Sequence, residues 1–182
     1  MTTRRLFLAG AATTLATPAL AFSLDPILMP QRVRIDPTIG NTQIIVLPRA
    51  RFLYFVDRPG SALRYGVGVG RAGLEFQGEA IIQVKKEWPT WRPTDSMIER
   101  DPQAYSKFVD NDYVQPGGPT NPLGARALYL FQNGRDTYYR IHGTTAPRSI
   151  GQAASSGCIR MLNEHVIDLY DRVPRGTKVT VL

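Results

Sequence analysis

Gln43-Ile44-Ile45-Val46-Leu47, Arg51-Phe52-Leu53-Tyr54-Phe55-Val56 and Leu63-Arg64-Tyr65-Gly66-Val67-Gly68-Val69 follow one another with only short breaks between them. The breaks are Pro48-Arg49-Ala50 and Arg58-Pro59-Gly60-Ser61, both rich in turn formers. Each run is short, apolar, and supplied with β-branched or aromatic residues, which marks strands rather than helices. Phe52, Tyr54 and Val56 alternate with other residues, so the first two runs read as a hairpin. Leu63, Tyr65, Val67 and Val69 share one face of the third run, with Gly66 and Gly68 on the other.

The pattern continues downstream. Ala80–Lys85 is a further strand, and Arg126–Leu130 and Thr137–Ile141 form a second hairpin around the Asn133-Gly134 turn. Lys178–Leu182 closes the chain as a strand. Trp88-Pro89-Thr90-Trp91-Arg92-Pro93 cannot lie inside a helix, because proline removes a donor and restricts its predecessor. Thr94 or Asp95 caps a short helix through Arg100, and Asp101-Pro102 opens another through about Phe108. Gln115–Gly124, with three prolines and three glycines, is a loop long enough to be either a functional lid or a plain connection. The strongest helix follows Cys158. Asn163 is its expected N-cap, Leu162 and Ile167 its staple, and Val166, Ile167, Leu169, Tyr170 and Val173 its apolar stripe.

Strands arriving in runs rather than alternating with helices predict a mainly β domain. It is mostly antiparallel, sandwich- or barrel-like, with short helices at its margins. Residues 22–39 are proline-rich and read as a lead-in to one domain over residues 40–182. Thr3-Arg4-Arg5-Leu6-Phe7-Leu8, a short apolar stretch and Ala19-Leu20-Ala21 make residues 1–21 a cleaved twin-arginine-type export signal. The predicted destination is the periplasm, at the cell wall. The mature chain is expected to have no transmembrane segment, since the apolar stretch falls short of the roughly 20 residues a span needs.

The formal charge is +7, and loss of Arg4 and Arg5 with the signal leaves 7 − 2 = +5. The basic residues are dispersed and do not interleave with aromatics, which argues against a nucleic-acid face. A mild positive charge outside the cytoplasm suits anionic wall polymers or headgroups.

Cys158 is the only cysteine, so no disulfide forms within the chain. It is either an inert buried residue or a nucleophile. Its approach, Ser155-Ser156-Gly157, is small and polar, which fits an exposed loop better than a core. His142-Gly143 ends a predicted strand, and the 15 residues between His142 and Cys158 are rich in small and turn-forming types, enough to bring the thiol back to the imidazole. An imidazole activates a thiol by taking its proton. Backbone N–H groups of Ser156, Gly157 and Cys158 are candidates for an oxyanion hole.

These residues resemble the L,D-transpeptidases, the YkuD-like catalytic domain of the periplasmic ErfK/YbiS/YcfS/YnhG type. The resemblance rests on His142-Gly143 and Ser155-Ser156-Gly157-Cys158-Ile159-Arg160, and covers roughly residues 40–182. Tyr65-Gly66-Val67-Gly68-Val69-Gly70, Trp88-Pro89-Thr90-Trp91 and Gly117–Gly124 also look like the family. It implies Cys158 as nucleophile, His142 as general base, and the Gly143 carbonyl as the group that orients the imidazole. It implies an oxyanion hole at Ser156, Gly157 and Cys158, and substrate contacts from Arg160, with Ser155 and Trp91 alongside. Many members carry a second histidine where this chain has Ser156. The implied reaction attacks the diamino-acid carbonyl of a donor peptidoglycan tetrapeptide stem, releases D-alanine, and passes the acyl group to an amine. The amine belongs to a second stem or to an outer-membrane lipoprotein lysine; water in its place makes a carboxypeptidase. Carbapenem-type inhibitors are the implied covalent ligands, and no cofactor or metal is required.

Other readings of the same residues remain. Arg160 either binds a carboxylate or braces its loop by pairing with Asp168. His165 is expected on the solvated surface. Cys158, His142 and His165 lack the paired spacing of a zinc site. Gly68-Val69-Gly70-Arg71-Ala72-Gly73 matches a dinucleotide fingerprint in letters only, since no helix pattern follows it. At least one of Trp88 and Trp91 is expected in the core. A non-catalytic wall-binding module and a thiol-based redox protein are the readings from other functional classes.

Overall fold

A computed structural model describes residues 22–182, so the expected export signal lies outside the described residues. Its strands are β1 Gln31–Arg34, β2 Gln43–Leu47, β3 Phe52–Arg58, β4 Ser61–Gly66, β5 Val69–Gly70, β6 Gly78–Glu87, β7 Arg126–Gln132, β8 Arg135–His142, β9 Ala153–Ser155, β10 Ile159–Arg160 and β11 Lys178–Val181. Two α-helices, α1 Asp95–Arg100 and α2 Asn163–Arg172, accompany them. Nine strands make one sheet in the order β1-β4-β3-β2-β11-β6-β7-β8-β10, and β5 pairs with β9 beside it. Within the large sheet β2–β11 and β8–β10 are the two parallel joints and the other pairings are antiparallel.

Alternation explains the core. Ile44 and Val46 of β2, Leu53 and Phe55 of β3, Leu128 and Leu130 of β7, and Val179 and Val181 of β11 are all buried. Helix α2 covers this sheet with Val166 and Leu169, joined by its C-cap Val173, all fully buried in the same cluster. Each such side chain contributes roughly 1.5–3 kcal/mol by leaving water. Lys85 of β6 locks the far end of the helix, its Nζ donating to the Tyr170 and Val173 carbonyls at 2.6 Å each. A cation on unsatisfied C-terminal carbonyls is favourable. Midway along the helix the Tyr65 hydroxyl of β4 donates to Asp168 Oδ2 at 2.5 Å, and Arg172, one turn on, holds the opposite carboxylate oxygen.

Several expectations shift. The lead-in contains β1, which pairs with β4 and is fastened by the Arg32–Asp57 ion pair. The expected Leu63–Val69 strand splits, because Val67 N–H turns to the Arg51 carbonyl and Gly68 bridges to Arg160. Asp101 does not start a long helix. Its side chain accepts from Ala104 N–H, the chain turns, and only a 3-10 turn at Ser106–Phe108 follows. Leu162, not Asn163, is the N-cap of α2, because the Asn163 side chain is used elsewhere. Its Oδ1 accepts the Ala125 and Thr144 N–H groups, tying α2 to the ends of two loops.

Candidate active site

Strand β8 brings His142 to its last position, and the parallel pairing with β10 sets Arg160 opposite His142. Cys158 lies just before β10, so the register that pairs Ile159 with Ile141 fixes the Cys158 loop against the β8 edge. His142, Cys158, Ser155, Ser156, Arg160 and Trp91 all line one groove of about 900 Å³. The expected residues therefore meet, although they span three separate segments of chain.

His142 is 4% exposed. Its Nδ1–H donates to the Gly143 carbonyl at 2.5 Å, which leaves Nε2 as the free, basic nitrogen. Burial, and next the nearby Arg160 charge, lower its pKa to about 4, while the Gly143 and Leu123 carbonyls pull the other way. The resting imidazole is thus neutral at neutral pH. Burial also pushes the Cys158 thiol up, against the Arg140 N–H and the Arg140 and Arg160 charges. Thiol and imidazole rest as a neutral pair, not as thiolate and imidazolium.

The thiol's own hydrogen bond runs to the Tyr138 carbonyl at 3.8 Å, a long contact made to the neighbouring strand and not to the imidazole. Tyr138 has φ +62°, a left-handed conformation that costs a non-glycine residue of order 1–3 kcal/mol. The irregularity in the β7–β8 register between Tyr129 and Phe131 accommodates it. Tyr138 N–H donates to Asp136, whose carboxylate is held by Arg140 through two bonds of 2.7 and 2.8 Å. The Tyr138 ring is 69% exposed at the groove.

Two of the expected roles look different in place. Ser155 is buried, and its hydroxyl donates to the Cys158 carbonyl at 2.6 Å while accepting the Gly157 N–H at 3.1 Å. Ser155 therefore braces the Cys158 loop, and the Gly157 amide is engaged there. Ser156 and Cys158 have N–H groups that join no backbone hydrogen bond among the described residues. Gly157 is required for its shape. At φ +125° a Cβ would stand 2.4 Å from Tyr139 Cε1 and 2.5 Å from the Leu74 carbonyl.

His165 is 4% exposed, not solvated, because α2 turns that face onto Tyr65. Arg160 does not pair with Asp168, whose carboxylate is taken by Tyr65 and Arg172. Neither tryptophan is a core residue. Trp88 is exposed, and Trp91 is half-buried at the groove, against Phe108 and Tyr105. Trp91 also exchanges two backbone hydrogen bonds with Gln115. That loop is a packed wall, not a loose flap: Asn121, 0% exposed, bonds to the Gln115 and Pro116 carbonyls and to Leu123 N–H. Gly68 of the fingerprint serves close packing, since a Cβ there would stand 2.4 Å from the Ser149 carbonyl, and no helix follows Gly73. Tyr138 and Arg71 line the groove without any sequence signal to mark them.

Residues 41–181 match the model of the L,D-transpeptidase catalytic domain, YkuD. The chain belongs to this family. Over 157 residues it is 32% identical to the probable L,D-transpeptidase ErfK/SrfK of Escherichia coli, covering 85% of this chain and 48% of that protein. It thus spans about half the length of that curated relative. A solved structure from Brucella melitensis, described as a probable carnitine operon oxidoreductase, is 53% identical at TM-score 0.59, covering 87% of this chain and 96% of that one. The structure of LdtMt1 in complex with imipenem shares the fold at TM-score 0.53 and 17% identity, covering 79% of this chain and 60% of that one. No helix among the described residues is long and apolar enough to cross a membrane.

Proposed function

We propose that this L,D-transpeptidase-family domain is a cysteine acyltransferase acting on peptidoglycan stem peptides in the periplasm. The observation that carries the reading is the convergence of Cys158 with a neutral, Nε2-basic His142 in one groove. In this reading the thiol leaves the Tyr138 carbonyl and turns to the imidazole across the groove. His142 Nε2 takes the thiol proton as sulfur attacks the diamino-acid carbonyl of the donor tetrapeptide. The oxyanion receives the Ser156 and Cys158 N–H groups. Collapse expels D-alanine, whose amine takes the proton back from His142, and a thioester remains. The acceptor amine then attacks, gives its proton to His142, and the amide forms as the thiol is restored.

Gly143 holds the imidazole, Arg160 draws in a carboxylate, and Trp91 walls the groove. The acceptor is a second stem, a lipoprotein lysine, or water. The Brucella description favours a different chemistry, an oxidoreductase. Against a dinucleotide site at Gly68–Gly73 stands the geometry, since Val69–Gly70 is a short strand tied to β9 and a turn follows.

Incubation of the chain with purified disaccharide-tetrapeptide, read by mass, tests the reading. A dimer that has lost D-alanine supports transfer, and a trimmed tripeptide supports hydrolysis. An unchanged substrate with both wild type and Cys158→Ala, and no adduct of wild type with imipenem, would sink it.

A further inference from the structure

Between the paired positions Tyr129–Arg140 and Phe131–Asp136, strand β7 has one residue, Leu130, and β8 has three, Thr137, Tyr138 and Tyr139. Side chains stitch this bulge. The Thr137 hydroxyl donates to the Leu130 carbonyl at 2.6 Å and accepts the Tyr139 N–H at 3.2 Å. Asp136 accepts the Tyr138 N–H at 2.8 Å, and Arg140 clamps that carboxylate. A bulge beside a site re-aims a side chain. The one re-aimed here is Tyr138, at φ +62°. Glycine takes such a φ without strain, whereas strain in a larger residue clusters at functional sites. Packing of the ring does not account for the tyrosine, because the residue is 69% exposed. The ring instead lines the Cys158 groove, and the carbonyl of the same residue accepts the Cys158 thiol at 3.8 Å.

The charge of the groove gives the ring a task. Four arginines line it, Arg71, Arg92, Arg100 and Arg160, against one carboxylate, Asp95 on α1. The Asp136 carboxylate in the bulge is occupied by Arg140. An alkylamine is an ammonium ion at neutral pH, so this groove repels it while water enters freely. The face of an aromatic ring attracts a cation without carrying a charge of its own. Tyr138 already meets one cation in this way, the Arg140 guanidinium, 5.9 Å from the ring centroid.

We propose that the exposed Tyr138 ring is the acceptor platform of this groove: it holds the alkylammonium side chain of the incoming amine beside the Cys158 thioester and so favours transfer over hydrolysis. This rests on the acyl-transfer reading above and specifies its acceptor. The methylenes of the acceptor lie along the ring and its ammonium over the ring face. The ammonium sheds one proton to solvent. The neutral amine then attacks the thioester carbonyl. The C–N bond forms, the C–S bond breaks, and one N–H proton passes through His142 to the Cys158 sulfur.

The test is a partition ratio. The chain is incubated with disaccharide-tetrapeptide as donor and Nα-acetyl-lysine amide as acceptor, and the lysine adduct and the trimmed tripeptide are counted by mass. Both products arise from one thioester, so their ratio does not depend on how fast that thioester forms. Tyr138→Gly removes the ring and suits the left-handed backbone. It should lower the adduct-to-tripeptide ratio roughly two- to fivefold, the worth of an exposed cation–π contact. Tyr138→Phe keeps the ring face and should keep the ratio. With methoxyamine, an amine uncharged at neutral pH, Tyr138→Gly should show no such drop. Equal ratios for wild type and Tyr138→Gly overturn the platform and leave acyl transfer standing, and so does a drop of the same size with both amines. Tripeptide alone from the wild type, with no lysine adduct, overturns it too. A tetrapeptide left intact by the wild type, with no imipenem adduct, sinks the acyl-transfer reading itself, and the platform falls with it.

Discussion

Replacing His142 by asparagine should change how the fold responds to acid. In the folded protein the imidazole's pKa is lowered to about 4 from its ordinary 6.5, with burial as the main cause. Below 6.5 the unfolded chain binds a proton that the folded chain refuses. Stability therefore falls as the pH drops through this window and levels off below about 4. The difference, 6.5 − 4 = 2.5 pH units, is worth at most about 3 kcal/mol, most of it already lost at pH 4. That is a large share of a typical domain's 5–15 kcal/mol. Asparagine keeps an amide N–H for the Gly143 carbonyl but has no proton to gain. Urea unfolding, followed by the fluorescence of Trp88 and Trp91, would be measured at steps from pH 7 to pH 4 in both proteins. Carboxylates and the other buried histidine, His165, affect both alike and drop out of the comparison. The wild type should lose about 3 kcal/mol more than His142→Asn across that range. Parallel pH profiles for the two would refute the argument that burial holds the imidazole neutral. Proton NMR gives a second reading, because the chain has only two histidines to assign.

Three further outcomes follow from the same geometry. Tyr65→Phe removes a buried hydroxyl bonded to Asp168, and should cost about 1.5–3 kcal/mol in urea unfolding, the range for a hydrogen bond to a charged partner. Gly157→Ala forces a Cβ against Tyr139 and the Leu74 carbonyl at a φ that disfavours alanine. Adduct formation with imipenem should fall by at least roughly tenfold while far-UV circular dichroism stays unchanged, as a small misplacement at a reacting centre predicts. Because burial raises the Cys158 thiol, alkylation by iodoacetamide should climb steadily through pH 9 rather than level off near neutrality. A plateau at pH 6–7 would instead indicate a standing thiolate–imidazolium pair.

The strands were legible because burial on one face imposes a period of two, and Ile44, Val46, Leu53 and Phe55 obey it. The pairing of those strands was not, since nothing local in Lys178–Val181 says that it lies between β2 and β6. The Leu63–Val69 run kept its alternation, yet it breaks at Val67 because two distant segments, at Arg51 and Arg160, compete for its backbone. Asn163 shows the same limit: a good capping residue was drawn to tertiary partners instead. At the site, the meeting of Cys158 and His142 in one groove was legible as residue types at a spacing. The roles of Ser155 and Gly157 depended on which N–H groups the folded loop had already used. Arg71 carried no signal, because its place at the groove comes from the pairing of β5 with β9.

Strand β11 joins β2 to β6, and so holds together two groups of strands that share no other pairing in the large sheet. Lys178 meets Gln43 across 178 − 43 = 135 positions of chain. Contacts of such sequence separation close late and slowly in folding. Until they close, β2 and β6 present bare edges, each a template for pairing with another chain. The strands of the large sheet that line the groove, β8 and β10, lie on one side of that joint. A chain interrupted before Lys178 would thus carry most of the chemistry and none of the closure. It is expected to collect as aggregate rather than as a weakened enzyme. For this architecture, quality control reduces to whether four residues reach the middle of the sheet before a second molecule does.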